Sequence, residues 1–140
     1  MVEHNWWTVF SDGGARGNPG PAAGAAVLID PAGNLRESRG KYLGRATNNV
    51  AEYEGLILGL EMALSAGASH VHAYMDSQLV ARQAEGIYRV KNPDLAKLLT
   101  RVQKLRAQFA AVTFGHVLRA ENYRADRVVN DTIDDFLMKE

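Results

Sequence analysis

The sequence has no cysteine among its 140 residues. This absence excludes a disulfide framework, a zinc site with cysteine ligands, an iron–sulfur cluster and a thiol nucleophile. Any metal site in this chain must therefore be built from oxygen or imidazole ligands.

The sequence also lacks an excess of charge of either sign. Its 16 Lys and Arg residues balance 16 Asp and Glu residues, and the isoelectric point is near 6.9. A neutral chain of this kind does not coat nucleic acid by bulk charge, although charge can still be segregated locally.

Long hydrophobic runs are absent as well. Hydrophobic residues make up 46% of the chain, yet no segment approaches the roughly 18 uninterrupted apolar residues of a membrane span. Residues 1–5 do not combine a basic stretch with a following apolar run, so no targeting signal is predicted. We expect a soluble cytoplasmic protein that forms one domain over residues 1–140, with no membrane association and no obligate protein partner indicated.

The first third of the chain predicts three strands in succession. Aromatic and β-branched residues favour a strand over residues 6–10, which ends at Ser11 and Asp12 before a glycine- and proline-rich loop. Small apolar residues predict a second strand over 22–29, and a turn leads into a third over 35–43. Successive strands joined by short turns are typical of antiparallel pairing.

From Thr47 onward the apolar spacing becomes helical, and helices then alternate with strands. The predicted helices run from 47 to a cap at Gly67, over 77–85, over 94–108 and over 122–137, and the strands cover 70–75 and 110–118. This order predicts an α/β fold with a five-stranded sheet of mixed direction, three antiparallel strands followed by two parallel ones, with helices on its faces.

Four acidic residues interrupt apolar patterns. Asp12 and Asp76 each follow a hydrophobic strand, Glu52 lies on the apolar stripe of its helix, and Asp126 stands among apolar residues at the start of the last helix. Burying four carboxylates together is costly unless a cation compensates their charge. Mg²⁺ or Mn²⁺, which prefer hard oxygen ligands, are the cations that suit such a set.

Each carboxylate taken alone also has an ordinary structural interpretation. Asp12 before two glycines can start a turn, and Asp76 can cap the helix that follows it. Glu52 can complete a capping box with Asn49, and Asp126 can be a plain surface acid. The residues by themselves leave these alternatives open.

Four segments of the chain resemble the motifs of the type 1 ribonucleases H. Ser-Asp-Gly-Gly-Ala-Arg-Gly-Asn-Pro-Gly-Pro at 11–21 is similar to the first motif, and Thr-Asn-Asn-Val-Ala-Glu at 47–52 is similar to the second. Asp76 with Ser77 resembles the third, and residues 122–126 with Asn130 resemble the fourth. The resemblance covers nearly the whole chain, in order and with the family's spacing.

This resemblance implies a ribonuclease H-like fold and a metal-dependent endonuclease that hydrolyses the RNA strand of an RNA/DNA hybrid. By motif, Asp12, Glu52, Asp76 and Asp126 would hold two Mg²⁺ ions, with Mn²⁺ as a substitute. One ion would activate the attacking water and the other would stabilise the leaving oxygen, giving 5′-phosphate and 3′-hydroxyl ends.

The resemblance also implies the substrate contacts. Small residues near Gly13 allow close approach to the ribose, whose 2′-hydroxyl distinguishes RNA from DNA, and Glu52 can accept a hydrogen bond from that hydroxyl. The expected substrate-binding residues are Gly13, Gly14, Arg16, Asn18, Thr47, Asn48, Asn49, Ser77 and Asn122.

Two features depart from the pattern of many family members. Where they carry a histidine before the last catalytic Asp, this chain offers Arg119 or His116, of which we favour Arg119 in an electrostatic role. The chain also resembles the branch without the inserted basic protrusion. The face formed by Lys97, Arg101 and Lys104 is the candidate replacement, although a solvated helix face explains it equally well.

Two alternatives keep the same fold. One is an enzyme whose substrates extend to double-stranded RNA or to DNA. The other is a module that binds hybrids without cleaving them, against which the presence of all four carboxylates argues.

Overall fold

The computed structural model describes residues 5–139, within which five strands and four α-helices form. The strands are β1 (Trp6–Ala15), β2 (Gly20–Ile29), β3 (Leu35–Ala46), β4 (His70–Met75) and β5 (Ala111–His116). The helices are α1 (Asn48–Ser65), α2 (Gln78–Glu85), α3 (Pro93–Arg106) and α4 (Tyr123–Met138), with a 3₁₀ turn over Arg119–Asn122 before α4.

The strands form one sheet in the order β3-β2-β1-β4-β5. The pairs β1/β2 and β2/β3 are antiparallel, whereas β1/β4 and β4/β5 are parallel. The predicted mixed sheet of three antiparallel and two parallel strands is therefore confirmed. Because β1, β4 and β5 run in the same direction, their carboxyl ends meet at one edge, where sites of open α/β sheets form.

One predicted boundary was wrong. The strand expected to end before Gly13 continues to Ala15, because Gly13 pairs with Gly24 and Ala15 pairs with Ala22 of β2. Glycine disfavours strands by its flexibility, but the antiparallel neighbour supplies a full ladder of hydrogen bonds here. The other predicted elements agree with the structure to within 3 residues at each end.

Two apolar cores lie on opposite faces of the sheet. The larger one joins the sheet to α1, α2 and α3 through residues such as Val9, Leu56, Leu60 and Val102. The smaller one lies under α4, where Ala23 and Ala25 of β2 meet Val129 and Ile133. The small β2 side chains allow α4 to lie close to the sheet.

No helix within residues 5–139 is long and apolar enough to cross a membrane. Residues 1–4, on which the prediction about the amino terminus depends, lie outside the described residues.

Candidate active site

The parallel pairing of β1 and β4 places two carboxylates side by side. Ser11 pairs with Met75 at the last position of this ladder. The next residues, Asp12 and Asp76, therefore occupy equivalent positions on neighbouring strands, with Asp12 inside β1 and Asp76 directly after the end of β4. Asp12 also pairs with Ala25 on its other side, so it belongs to an extended strand and does not start a turn.

Glu52 reaches the same site because the backbone of α1 lies directly against the backbone of β1. A Cβ atom at Gly13 would lie 2.1 Å from the carbonyl carbon and oxygen of Ala51. A Cβ atom at Gly55 would lie 2.1 Å from the carbonyl oxygen of Asp12. The absence of both side chains brings the helix turn that carries Glu52 against Asp12.

The residues that cap α1 and α2 exclude the helix-capping roles that the sequence allowed for Glu52 and Asp76. The Thr47 hydroxyl caps α1 by accepting from the amide of Val50 at 3.2 Å, so Asn49 lies inside the helix and forms no capping box. The Ser77 hydroxyl caps α2 by accepting from the amide of Val80 at 3.2 Å. Neither carboxylate is used as a cap.

The fourth carboxylate lies across a shared cavity. Asp126, in the first turn of α4, lines a cavity of about 360 Å³ together with Asp12, Glu52 and Asp76. Arg119 lines the same cavity, with its Nη2 atom 3.8 Å from Oδ1 of Asp126 and its side chain 82% exposed. All four predicted carboxylates and the predicted arginine are thus brought together.

Burial and crowding raise the affinity of this cluster for protons. Burial raises the pKa of Asp12 to about 8, with the Asp76 carboxylate the next largest contributor and with smaller increases from Asp126 and Glu52. Burial also raises the pKa of Glu52, while a hydrogen bond from the Ser77 side chain opposes that rise. The site therefore holds negative charge that the protein itself leaves largely uncompensated.

The donor set fits a divalent cation in its chemistry. All four side chains offer hard carboxylate oxygens, and Oε2 of Glu52 is buried without a hydrogen-bond partner. No three His, Asp or Glu side chains in the range 5–139 are already arranged as a set that could hold a metal ion. The four carboxylates, which include the unpartnered Oε2 atom of Glu52, are the groups that would hold a cation at this site.

The raised pKa of Asp12 predicts how the stability of the metal-free protein depends on pH. An unfolded Asp has a pKa of about 3.9, so between about pH 4 and pH 8 the folded state binds more protons than the unfolded state. The free energy of unfolding in EDTA should therefore fall as the pH rises through this interval. Urea unfolding at pH 5 and pH 8 measures this change.

The control for this experiment is Asp12→Asn, which cannot ionise. We expect this variant to lose much of the pH dependence and to be more stable than the wild type at pH 8 in EDTA. A wild-type stability that rises between pH 5 and pH 8 would contradict the interpretation of the cluster.

The asparagines of the first two motifs connect the loop after β1 to the start of α1. The amide of Ala15 donates to Oδ1 of Asn48 at 2.8 Å, and the amide of Asn48 donates to Oδ1 of Asn18 at 3.1 Å. Asn18, Thr47, Asn48 and Asn49 line a second cavity next to the carboxylate site. The side-chain carbonyl oxygens of Asn18 and Asn48 organise the protein, which leaves side-chain amide N–H groups as candidate donors to a substrate.

The structure gives different roles to the two adjacent glycines, Gly13 and Gly14, that were predicted to approach the substrate. Gly14 lines the carboxylate cavity, and a Cβ atom there would meet only Cγ1 of Val129 at 3.7 Å. Gly13 lines it too, but its missing side chain makes room for the backbone of α1. Glycine at position 13 is therefore required by helix packing, a role that sequence reasoning missed.

Arg16 and Asn122 support the site through contacts with other parts of the chain, Arg16 at the surface and Asn122 in the interior. Arg16 forms an ion pair with Asp134 of α4, and its Nη2 atom lies 3.4 Å from Oδ1 of Asn130. Asn122 is 1% exposed and donates from Nδ2 to the carbonyl oxygen of Ser11 at 2.9 Å. The structure thus places Asn122 where it holds β1 beside the start of α4, and not on a surface that a substrate can reach.

Asn130 also lines the cavity, although only its place in the fourth motif pointed to it. Its Nδ2 atom donates to the carbonyl oxygen of Asp126 at 3.0 Å. The spacing of four residues along α4 was the available signal, because it puts Asn130 one turn beyond Asp126 on the same face.

Two predicted groups lie away from the carboxylates. His116 is exposed at the end of β5 and is not part of the cavity wall. Lys97, Arg101 and Lys104 lie along α3 at its surface, but Nη1 of Arg101 lies 3.5 Å from Oε1 of Glu54 on α1. The proposed basic face is therefore partly neutralised by the protein itself.

A mixed five-stranded sheet that carries Asp12 on β1 and Asp76 after β4, with Glu52 from α1 and Asp126 from α4 around the same cavity, is the arrangement that the resemblance to the ribonucleases H predicted. Residues 10–132 match the family model described as "Reverse transcriptase-like". The chain is 32% identical to the ribonuclease H of Syntrophotalea carbinolica over 140 residues, which covers 91% of this chain and 90% of that protein. The chain belongs to the ribonuclease H family.

Other relatives are more similar in sequence but longer. The chain is 49% identical to "Bifunctional protein Rv2228c" of Mycobacterium tuberculosis over 90% of its own length, and it spans 35% of that protein. It is 42% identical to ribonuclease HI of Halobacterium salinarum, of which it spans 63%. It therefore spans only about a third to two thirds of the length of these relatives.

Solved structures show the same fold. The crystal structure of RNase H1 from Halobacterium salinarum matches with a TM-score of 0.90 at 41% identity, covering 93% of this chain and 98% of that one. LC11-RNase H1, crystallised in complex with an RNA/DNA hybrid, matches with a TM-score of 0.88 at 39% identity, covering 94% and 99%.

Proposed function

We propose that this chain is a metal-dependent endonuclease that hydrolyses the RNA strand of RNA/DNA hybrids, leaving 5′-phosphate and 3′-hydroxyl ends. The observation that carries the proposal is the convergence of Asp12, Glu52, Asp76 and Asp126 on one cavity. The hybrid complex of the related LC11-RNase H1 supports the choice of substrate.

The carboxylates would hold two Mg²⁺ ions, or Mn²⁺ in their place, with Asp12 at the centre of the set. When bound, these ions would supply neutralisation of charge on the attacking and leaving oxygens of the phosphodiester. The protein's part is to hold the carboxylates on two strands and two helices. The close contacts at Gly13 and Gly55 hold the backbone that carries Glu52 next to Asp12.

Discrimination of RNA from DNA would depend on Glu52 and the adjacent asparagines. The Glu52 side chain lines the carboxylate cavity, where its carboxylate can accept a hydrogen bond from a ribose 2′-hydroxyl. The amide groups of Asn18, Asn48 and Asn49 border the neighbouring cavity, where they can donate to base or sugar oxygens in the minor groove. A DNA phosphate would be seated near Thr47 at the amino end of α1.

A side-by-side cleavage assay tests this proposal. End-labelled RNA/DNA hybrid, double-stranded RNA and duplex DNA are incubated with Mg²⁺, Mn²⁺ or EDTA. We expect metal-dependent cleavage of the hybrid RNA strand, no product in EDTA and no cleavage of duplex DNA. Equal cleavage of double-stranded RNA would widen the substrate class, and hybrid binding without any cleavage would show a non-catalytic module.

Arg119 is expected to contribute more to turnover than His116. A guanidinium bound to phosphate contributes about 1.5–3 kcal/mol, so Arg119→Ala should lower kcat by roughly tenfold or more. His116→Ala should leave kcat within about twofold, because His116 lies outside the cavity wall. Steady-state kinetics on the hybrid measures both, and the reverse ranking would transfer the role to His116.

A further inference from the structure

One face of β4 and β5 has no helix packed along it within residues 5–139. Helix α4 lies on this side of the sheet, but it packs on β2, β3 and the adjoining part of β1. A Cβ atom at Gly40 of β3 would lie 1.9 Å from Oγ1 of Thr132, so close contact holds α4 toward the β3 edge. Helices α1 and α2 pack against the opposite face, and α3 lies on that side in contact with both of them.

The uncovered face carries five aromatic rings. Side chains of a strand alternate between faces, and Val71, Ala73 and Met75 of β4 point into the main core. The rings on the uncovered face are those of Trp6, Phe10, His70, His72 and Tyr74. Their pairing in the parallel ladder, Trp6 with His70 and Phe10 with Tyr74, places them in adjacent rows.

These rings form a continuous series, which we call the aromatic face. Trp6 stacks on His72 with ring centroids 4.2 Å apart and 9° between planes. His72 lies 6.1 Å from Tyr74, and Tyr74 lies 5.7 Å from Phe10. All five side chains are only half-buried, which leaves ring surface available to a ligand.

Glycine and threonine on β5 complete the aromatic face. A Cβ atom at Gly115 would lie 2.9 Å from Cδ1 of Tyr74, so the tyrosine ring leans over this glycine. On the same strand, Oγ1 of Thr113 lies 2.6 Å from Nδ1 of His72. These contacts fix the orientation of two of the rings before any ligand binds.

The aromatic face continues directly into the carboxylate site. Asp12 lies two residues after Phe10, and Asp76 lies two residues after Tyr74, so the alternation of side chains puts all four on the same face of the sheet. Beside Phe10, a cavity of about 250 Å³ is lined by residues that include Tyr123 and Arg124. Tyr123 is 60% exposed.

The dimensions of the face favour a strand of nucleic acid over a protein. Three strands about 4.8 Å apart and six residues long at about 3.3 Å each give an area of roughly 300 Å². A stable protein interface needs about 800 Å² per partner. Aromatic side chains on an open sheet with a bordering arginine are, in contrast, the arrangement on which unpaired bases stack.

We propose that the aromatic face binds single-stranded nucleic acid, as an extension of the hybrid site to unpaired nucleotides beyond the hybrid. This inference rests on the proposed function for the identity of the neighbouring site. Recognition would depend on stacking and would therefore show little base preference. The strand would reach the face from the carboxylate edge, past Phe10 and Tyr123.

Fluorescence anisotropy of a labelled short oligothymidine, recorded in EDTA so that no cleavage occurs, tests the proposal. We expect Trp6→Ala and Tyr74→Ala each to weaken binding about fivefold or more, since each removes a stacking partner. Tyr74→Phe should retain the wild-type affinity. The matched control is Tyr42→Ala. The Tyr42 ring stacks on Phe136 with centroids 3.7 Å apart on the β3 side of the molecule, so its removal should not affect binding.

Affinity that is unchanged in both Trp6→Ala and Tyr74→Ala would overturn the proposal. Sedimentation that shows wild-type dimers and Trp6→Ala monomers would overturn it in favour of a protein interface. Cleavage of a blunt hybrid by Trp6→Ala should stay at the wild-type rate. If the wild type binds oligothymidine but does not cleave the hybrid, only the proposed function is contradicted.

Discussion

Replacing Asp12 with asparagine is expected to lower the rate of hybrid cleavage by at least about 10³-fold, because a metal ion contributes several kcal/mol of charge stabilisation. Asp12 is 8% exposed and is the residue on which the electrostatic effects of Asp76, Asp126 and Glu52 converge. The amide is nearly isosteric with the carboxylate, so the loss should appear in turnover and not in folding.

Two measurements separate this effect from damage to the fold. Circular dichroism should show a folded Asp12→Asn protein, and at pH 8 in EDTA its unfolding midpoint should lie above that of the wild type. Asp131→Asn is the matched control, because Asp131 lies on α4 outside the cavity wall with its side chain 64% exposed. Cleavage by Asp12→Asn at a rate near that of Asp131→Asn would refute the assigned mechanism.

Replacing Gly13 with alanine is expected to destabilise the fold strongly. The added Cβ atom would lie 2.1 Å from the carbonyl carbon and oxygen of Ala51 and 2.3 Å from the amide nitrogen of Glu52. These are backbone atoms of α1, so the whole helix must move. Forced overpacking of this kind costs about 3 kcal/mol or more, and the displaced helix carries Glu52 away from Asp12.

The neighbouring glycine supplies the control. A Cβ atom at Gly14 meets only a valine methyl group at 3.7 Å, an ordinary contact, so the free energy of unfolding of Gly14→Ala should lie within about 0.5 kcal/mol of the wild-type value. Urea denaturation of both variants measures the difference. Equal stability of the two would mean that α1 does not need the close contact at position 13.

A buried hydrogen bond ties α1, the helix that carries Glu52, to α2. The Tyr53 hydroxyl donates to Oε1 of Gln83 at 2.6 Å, and burial raises the pKa of Tyr53 to about 12. Nε2 of Gln83 lies 3.5 Å from the carbonyl oxygen of Arg89. The position of α1 is thus set on one side by glycine contacts with the sheet and on the other by this polar link.

The sequence by itself determined the fold class, and its resemblance to the ribonucleases H indicated the four carboxylates of the cluster. Apolar periodicity located the strands and helices because an amphipathic element must bury one face. Asp12 and Asp76 could be paired from sequence because each follows the hydrophobic run of a predicted strand, and parallel neighbours place equivalent residues side by side. The absence of cysteine limited any metal site to oxygen or imidazole ligands, and the four residues that would hold the metal are all carboxylates.

Only the tertiary structure decided the roles of Gly13 and Asn122. Gly13 looks suited to a substrate in sequence, but its role comes from a helix that lies 38 residues further along the chain at Ala51. Asn122 looks like a substrate contact, but it is buried against Ser11. Local sequence patterns encode which residues are apolar, whereas a role that depends on a close approach between distant segments exists only once those segments have packed.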